Sequence, residues 1–348
     1  MKPFVSVIIP CRNEVAFLPR CLDSIRASDY PAERLEIVVA DGMSSDGTRE
    51  LLRNDPRVRL VDNPARITPV ALNRAIAASR GSVIVRLDAH SAIAPDYISR
   101  AVEHLETSGA DNVGGRMRTV ARDSGVFAPA IELVLTHRFG VGNSDFRTLS
   151  EGAGPKWVDT VFGGCWRRKV FERVGLFNER LVRSQDIEFN LRLRRAGGRI
   201  LLAPDLRSDY FARAELGSFV RHNWSNGAWA VLPFAYSEIV PVRWRHLAPL
   251  AFVCALCASL ALAWAGWTWP LALAAGPYLA ANLLTSFFLA WRERSARLAV
   301  LLPVAFASLH LPYGAGALWG AMQWAAIALS RVWHGRSSLP AEPGKHPT

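Results

Sequence analysis

The chain has 348 residues, half of them apolar and a fifth charged, with 41 Lys+Arg against 30 Asp+Glu. That average hides two unlike parts. Residues 247–291 and 298–330 contain no Asp, Glu, Lys or Arg, whereas residues 1–246 hold 35 of the basic and 28 of the acidic side chains, a net charge of +7. Such a split excludes an intrinsically disordered chain and a wholly soluble one. The length suits about two domains.

The basic excess raises nucleic acid as a partner, but Arg is dispersed and no nucleic-acid motif is present. Two readings of the charge remain. One is a compositional bias toward Arg, since the lysines are only Lys2, Lys156, Lys169 and Lys345; the other is attraction to anionic lipid and a phosphorylated ligand. The five cysteines (Cys11, Cys21, Cys165, Cys254, Cys257) are odd in number and scattered, which suits a reducing cytosol rather than a disulfide framework. Cys254 and Cys257 have C-x-x-C spacing within a run of Ala and Leu, where one turn of a lipid-embedded helix is the better reading than a metal site.

In chain order, an apolar run at 4–9 stops at Pro10 and is followed by Arg12 and Glu14. It is too short for a signal peptide and reads as a buried strand, so the front part is expected in the cytoplasm. Strand-like runs at 35–40, 58–61 and 83–87 alternate with amphipathic segments at 15–27, 46–54 and 68–79. The last of these is expected to start with Thr68 as N-cap and Pro69 at the first helical position. Strands alternating with helices predict an α/β domain with a mainly parallel sheet covered on both faces. Further elements are expected at 113–119 (strand), 186–197 (helix) and 199–203 (strand).

Residues 214–246 scatter Phe219, Trp224, Trp229, Phe234, Tyr236 and Trp244 among Arg and His. They read either as helices lying at a membrane surface or as a buried helix of the substrate domain. Two spans follow, at 247–265 and 269–290, joined by a turn rich in Trp and flanked by Arg243, Arg245, Arg292, Arg294 and Arg297, which places both flanks in the cytoplasm. The last apolar stretch, 298–329, would be about 48 Å of helix, too long for one straight span and short for two. Pro303, Pro312, Gly314 and Gly316 are candidate breaks, and a single span, a re-entrant segment and a hairpin all stay open. The resulting partition is 1–213 catalytic, 214–246 interfacial, 247–330 transmembrane and 331–348 a polar tail.

In parallel α/β sheets, ligands bind beyond the carboxyl ends of the strands. Here those ends carry Arg12-Asn13-Glu14, Asp41-Gly42, Asp62-Asn63 and Asp88-Ala89-His90. A solvated turn explains any one of them; four at one rim point to a site. Asp88 and His90, two apart on an extended turn, can face one divalent cation that also binds nucleotide phosphates. In Asp41-Gly42-Met43-Ser44-Ser45-Asp46-Gly47-Thr48 the glycines admit a ligand close to the backbone, and Asp41 and Asp46 can accept hydrogen bonds from a base or ribose. The same residues also make a strand-to-helix turn. Ser184-Gln185-Asp186-Ile187-Glu188 opens a helix, where a carboxylate is stabilised as the anion and suits a general base; the general preference of helix N-termini for acids explains it equally.

The order V-S-V-I-I-P-C-R-N-E, V-V-A-D-G-M-S-S-D-G-T, V-R-L-D-A-H, F-G-G-C-W-R-R and S-Q-D-I-E-F-N-L-R-L-R-R-A-G resembles family 2 glycosyltransferases of the GT-A fold, over about residues 4–205. In detail it is similar to bacterial exopolysaccharide enzymes of the succinoglycan glucosyltransferase group, which share the D-A-H form and a hydrophobic C-terminal region. The resemblance implies a GT-A catalytic domain followed by transmembrane helices, in a multi-pass protein of the bacterial inner membrane. It implies that Pro10, Asn13 and Glu14 line the nucleotide pocket, that Asp41 holds the uracil ring, and that Asp88 lies near ribose and metal. His90 stands where many relatives have the second Asp of D-x-D, so Mn²⁺ or Mg²⁺ is the implied cofactor. Gly163 and Gly164 are expected to leave room beside sugar and acceptor, and Asp186 matches the catalytic base, with Gln185 in place of the preceding Glu. Arg116 and Arg118 are candidate phosphate contacts, or surface residues.

The implied reaction is an inverting hexose transfer from a UDP-sugar to a lipid-linked saccharide in exopolysaccharide biosynthesis, with membrane lipids and polysaccharide-assembly proteins as partners. Residues 221–229 lack the Q-x-x-R-W of processive relatives, which favours single-sugar addition. Two alternatives stand beside it: transfer directly to polyprenyl phosphate, and a non-catalytic membrane scaffold that keeps a nucleotide pocket.

Overall fold

A computed structural model describes residues 2–122, 124–150, 152–239 and 244–333. The chain forms two compact units, Met1–Val120 with Ser144–Phe211, and Ala121–Asn143 with Ala212–Thr348. Residues 121–143 thus group with the C-terminal helices, which the linear partition at 213 does not provide for.

The first unit is built on one sheet. Its strands are β1 (Val5–Cys11), β2 (Leu35–Asp41), β3 (Val58–Asp62), β4 (Val83–Arg86), β5 (Ser91–Ile93), β6 (Asn112–Ala121), β7 (Lys156–Val158), β8 (Phe162–Arg167) and β9 (Ile200–Ala212). They lie in the order β3-β2-β1-β4-β8-β6-β9-β5, with β7 paired to β9. The first four are parallel; β8 is antiparallel to β4, and β5 and β7 to β9. This is the expected α/β, GT-A-like sheet.

Apolar runs become strands here because both faces are covered. Val5, Val7 and Ile9 enter one core with Leu18, Leu22 and Ile25 of the helix Leu18–Arg26, while Ile8 enters the other with Leu72 and Ala75 of the helix Thr68–Ala78. Alternate side chains of one strand therefore serve opposite layers. The expected Thr68 cap is corrected. The helix begins at Thr68, with extended Ile67 as N-cap and no side-chain cap bond. Pro69 then occupies the first turn, where a missing N–H costs nothing.

The expected strand at 199–203 runs on to Ala212. Pro204 falls between the register pairs with β7 at 200–202 and those with β5 at 208–210.

In the second unit, three helices are long and apolar enough to cross a membrane: His246–Trp264, Trp269–Arg292 and Ala296–Arg331. Leu284, Phe287 and Val300 are about 70% exposed, an apolar surface of a kind that lipid covers. Of the alternatives for the last stretch, the structure has one continuous helix, Ala296–Trp333, with Pro303 and Pro312 inside it. Its glycines are packing sites instead. A Cβ on Gly316 would lie 2.0 Å from the Trp224 carbonyl, and one on Gly320 2.5 Å from that of Ala228, both on the helix Leu216–Val231. Small residues let these backbones approach, as in membrane helix pairs. Of the aromatic residues at 214–246, Phe219, Trp229 and Tyr236 are buried while Trp224 and Phe234 are exposed. Arg243 and residues 334–348 of the expected tail lie outside the described residues.

An apolar groove of about 490 Å³ lies among the helices, lined by Tyr278, Asn282, Pro303, Ser308 and Leu311 with others. Gly227 faces the Tyr313 backbone carbonyl, where a Cβ would come within 1.8 Å. Gly227→Val is expected to destabilise the helix pair by about 3 kcal/mol, read as a lower melting temperature of the detergent-solubilised chain.

Candidate functional site

The chain runs outward from β1 to β2 to β3, then returns past β1 to form β4, so the sheet reverses its winding between β1 and β4. That switch point is where a crevice opens. The β1–β4 pairing stops at Ile8 and Arg86, just before Pro10, which has no N–H to extend a ladder. The two strand ends beyond it carry Asn13 and Glu14 on one side and Asp88 and His90 on the other.

These residues meet. Glu14 Oε1 lies 2.9 Å from His90 Nδ1, and the Glu14 amide is held by Thr48 Oγ1 at 3.0 Å. Asn13 takes φ 54°, a left-handed conformation that Asn tolerates well. Its amide donates to Ser44 Oγ and its side-chain oxygen accepts from the Ser45 amide, which ties the β1 end to the loop after β2. The Asp88 turn is fixed by the Ser91 amide and hydroxyl, both donating to the Asp88 carbonyl. On the other side of the turn, the Phe211 amide of β9 donates to the His90 carbonyl at 2.9 Å.

Asp41 is fully buried, and its oxygens accept from the Ser44 amide at 3.0 Å, the Ser44 hydroxyl and Arg49 Nη1 at 2.8 Å. Arg49 also bridges to Asp62 at 2.7 Å, so one guanidinium joins the ends of β2 and β3. Asp46 accepts from Val15 and Thr48; burial opposes its charge, but these hydrogen bonds outweigh that and hold the carboxyl below its ordinary range. Both acids of this loop therefore build it.

Arg86 closes β4 and is buried, with Nη2 3.1 Å from Asp88 Oδ1. Burial pulls the guanidinium toward its neutral form, yet the charges of Asp88 and then Asp186 overcome this and raise Arg86 above ordinary arginine. Asp186, in the first turn of the helix Gln185–Arg195, is thereby electrostatically joined to Asp88. Its Oδ1 accepts from the Ile187 amide at 2.9 Å, and Ser184 enters the helix at φ 63°. Of the two acids expected here, Glu188 is buried in a two-bond pair with Arg192, leaving Asp186 as the chemically available one. Gln185 is buried, and among the described residues its Oε1 has no hydrogen-bond partner.

Gly163 and Gly164 both have positive φ, 65° and 127°, but the room left by their missing side chains is taken by protein. A Cβ would meet the Arg86 carbonyl at 2.8 Å in the first case and the Trp166 ring at 2.3 Å in the second. Arg118 makes a bidentate pair with Asp209, both bonds 2.7 Å, at an exposed position. Arg116 lies on the same strand, its carbonyl accepting from Ser208. Reading the sequence missed Arg86, Arg147 and Tyr210. A charge ending the apolar run Val83–Arg86 is a usable signal for the first; Tyr210 reaches His90 (ring centroids 4.9 Å apart) only through the β5–β9 pairing.

Among the described residues no group of three or more His, Cys, Asp or Glu could hold a metal ion by itself. Asp88 and His90 nonetheless fit a cation shared with phosphate. With Nδ1 donating to Glu14, His90 presents Nε2 as the lone pair, the carboxylate–histidine arrangement common at metal sites.

The glycosyl transferase family 2 model matches residues 6–175. Succinoglycan biosynthesis protein ExoA of Rhizobium meliloti (strain 1021) is 32% identical over 278 residues, covering 72% of this chain and 82% of that protein. The chain belongs to glycosyltransferase family 2. A dolichyl N-acetyl-alpha-D-glucosaminyl phosphate 3-beta-D-2,3-diacetamido-2,3-dideoxy-beta-D-glucuronosyltransferase of Methanococcus voltae is 27% identical, covering 65% of this chain and 72% of that one. Among solved structures, the mannosyltransferase PcManGT of Pyrobaculum calidifontis in complex with GDP-Man and Mn²⁺ shares the fold, with TM-score 0.51 and 23% identity over 96% of this chain and 88% of that chain. The resemblance expected from the motifs is shown by these relatives.

Two outcomes check this geometry. Arg49→Met leaves the buried Asp41 carboxylate without its counter-ion and is expected to cost about 3 kcal/mol. Gly164→Ala combines overlap with Trp166 and a strained φ, and is expected to cost about 3 kcal/mol. Thermal melting of the full chain measures both.

Proposed function

We propose that this glycosyltransferase moves a hexose from a UDP-sugar to a lipid-linked saccharide, with inversion at C1, in bacterial exopolysaccharide biosynthesis. The observation that carries the reading is the buried Arg86 at the switch point of the sheet, bonded to Asp88 and within the electrostatic reach of Asp186. The relative ExoA, named for succinoglycan biosynthesis, supports the process, and the Methanococcus voltae enzyme, named for a dolichyl-linked sugar phosphate, supports a lipid-linked acceptor.

Asp186 is the base. From the first turn of its helix, its carboxylate takes the proton of an acceptor hydroxyl. The acceptor oxygen forms its bond to C1 as the bond from C1 to the donor phosphate oxygen breaks, and UDP carries away that electron pair. C1 passes through an oxocarbenium-like state, as in glycoside hydrolysis. Asp88 and His90 would hold Mn²⁺ or Mg²⁺, whose charge offsets that developing on the diphosphate when it is bound. Glu14 orients His90, and Asp41 with Arg49 keeps the nucleotide-side loop in shape. The three long apolar helices support a multi-pass place in the bacterial inner membrane, with the catalytic unit cytoplasmic. The apolar groove among them is suited to a lipid chain.

The test uses membranes containing the full chain, a panel of UDP-sugars, and UDP release with and without lipid-linked saccharide. One donor is expected to give acceptor-stimulated release. Asp186→Asn should lower turnover on the order of a thousandfold while still binding donor; retention of most turnover removes Asp186 as base. Chelation by EDTA should abolish release, and Mn²⁺ or Mg²⁺ should restore it, whereas indifference to chelator removes the metal role. UDP binding without release from any donor would point to a scaffold.

A further inference from the structure

Several arginines of the catalytic unit are matched with acids: Arg86 with Asp88, Arg49 with Asp41 and Asp62, Arg118 with Asp209, Arg192 with Glu188. Arg147, in the short helix Asp145–Thr148, is different. Among the described residues its side chain has no carboxylate partner; Nη1 donates to the neutral Thr119 hydroxyl, 3.1 Å away on β6. Two aromatic rings flank it. The guanidinium carbon lies 5.7 Å from the Phe146 ring centre and 5.8 Å from that of Tyr210. Phe162 packs on both rings, at 6.4 and 5.5 Å, so the enclosure is braced. Tyr210 meets His90 edge to face at 4.9 Å, which puts Arg147 one ring away from the residue that would face the cation.

Burial pushes the guanidinium of Arg147 down from its ordinary value, with no carboxylate to offset it. Arginine does not give up its proton in practice, so the cost of a partly buried charge without a carboxylate among the described residues stays with the fold. Among the described residues one of its five N–H donors is committed, to Thr119, and a planar fork with the others turned elsewhere matches a phosphoryl group. We propose that Arg147 is a phosphate-binding residue of the catalytic unit, its guanidinium receiving an oxyanion in the crevice beside Tyr210 and His90. The phosphoryl group belongs to the donor diphosphate or to the phosphate of a lipid-linked acceptor; that choice rests on the transferase reading, whereas the anion site itself does not.

The test uses the full chain in detergent, with Arg147→Gln and Arg147→Lys, the latter keeping the charge but not the fork. Circular dichroism and melting establish which variants fold. Binding of inorganic pyrophosphate is measured by calorimetry, and KM for UDP-sugar and for lipid-linked acceptor by UDP release. Loss of a charge-assisted pair is worth about 1.5–3 kcal/mol, so about ten- to a hundredfold weakening is expected for Gln and a several-fold loss for Lys. Weaker pyrophosphate binding with a raised donor KM assigns the donor diphosphate; unchanged pyrophosphate binding with a raised acceptor KM assigns the acceptor phosphate. A folded variant equal to wild type in pyrophosphate binding and in both KM values overturns the proposal. Should the wild type transfer no sugar, the transferase reading fails by itself, and pyrophosphate binding alone decides the site: a tenfold loss upholds it and equal binding overturns it.

Discussion

A buried guanidinium at the end of a central strand sets the terms for the catalytic unit. Arg86 stands where β4 leaves the sheet, and burial of its charge is tolerable only because Asp88 is bonded to it and Asp186 lies within its field. The dependence runs both ways. Asp88 is bonded to this cation and Asp186 acts on it through its charge, so one guanidinium links the two carboxylates. Position follows from topology: β4 is the strand laid beside β1 after the winding reverses, so its last residue borders the crevice. Even the Gly163 backbone is shaped by this strand end, for its φ of 65° brings it against the Arg86 carbonyl. The Glu14–His90 pair then closes the crevice from the β1 side.

The second unit obeys a different constraint. Its helices carry too few polar groups to be held by charge, and their contacts depend on how near the backbones can come. Gly227, Gly316 and Gly320 each face a carbonyl of a neighbouring helix at a distance no Cβ could occupy. A few polar links add direction: Asn282 donates to the Pro303 carbonyl, and His310 lies between Tyr278 and the Phe139 carbonyl. The last of these ties residues 121–143, which leave the chain between β6 and β7, to the C-terminal helices within one unit.

Much of this was legible in the sequence because its signals are local. The parallel strands, the helices between them and the acidic strand ends follow from apolar periodicity and the rule for strand termini. Where the reading failed, the deciding contact lay far along the chain. The strand expected at 199–203 continues because β7 and β5 pair on either side of Pro204. Gly314 and Gly316 look like helix breakers until a partner backbone fills the space beside them. Gly163 and Gly164 suggest space for a ligand, whereas the Arg86 carbonyl and Trp166 use that space. Arg147 carries no motif at all, and its setting arises from Thr119, Phe162 and Tyr210 on three different strands.

The proposed chemistry has one consequence that depends on Asp186 acting from the side of the sugar opposite the departing diphosphate. The most direct measurement is proton NMR of the product formed by the full chain from an α-linked UDP-hexose of gluco or galacto configuration. The predicted result is a β-linked product, with the large anomeric coupling of diaxial protons. A product that keeps the small coupling of the α-anomer would contradict single displacement with Asp186 as base.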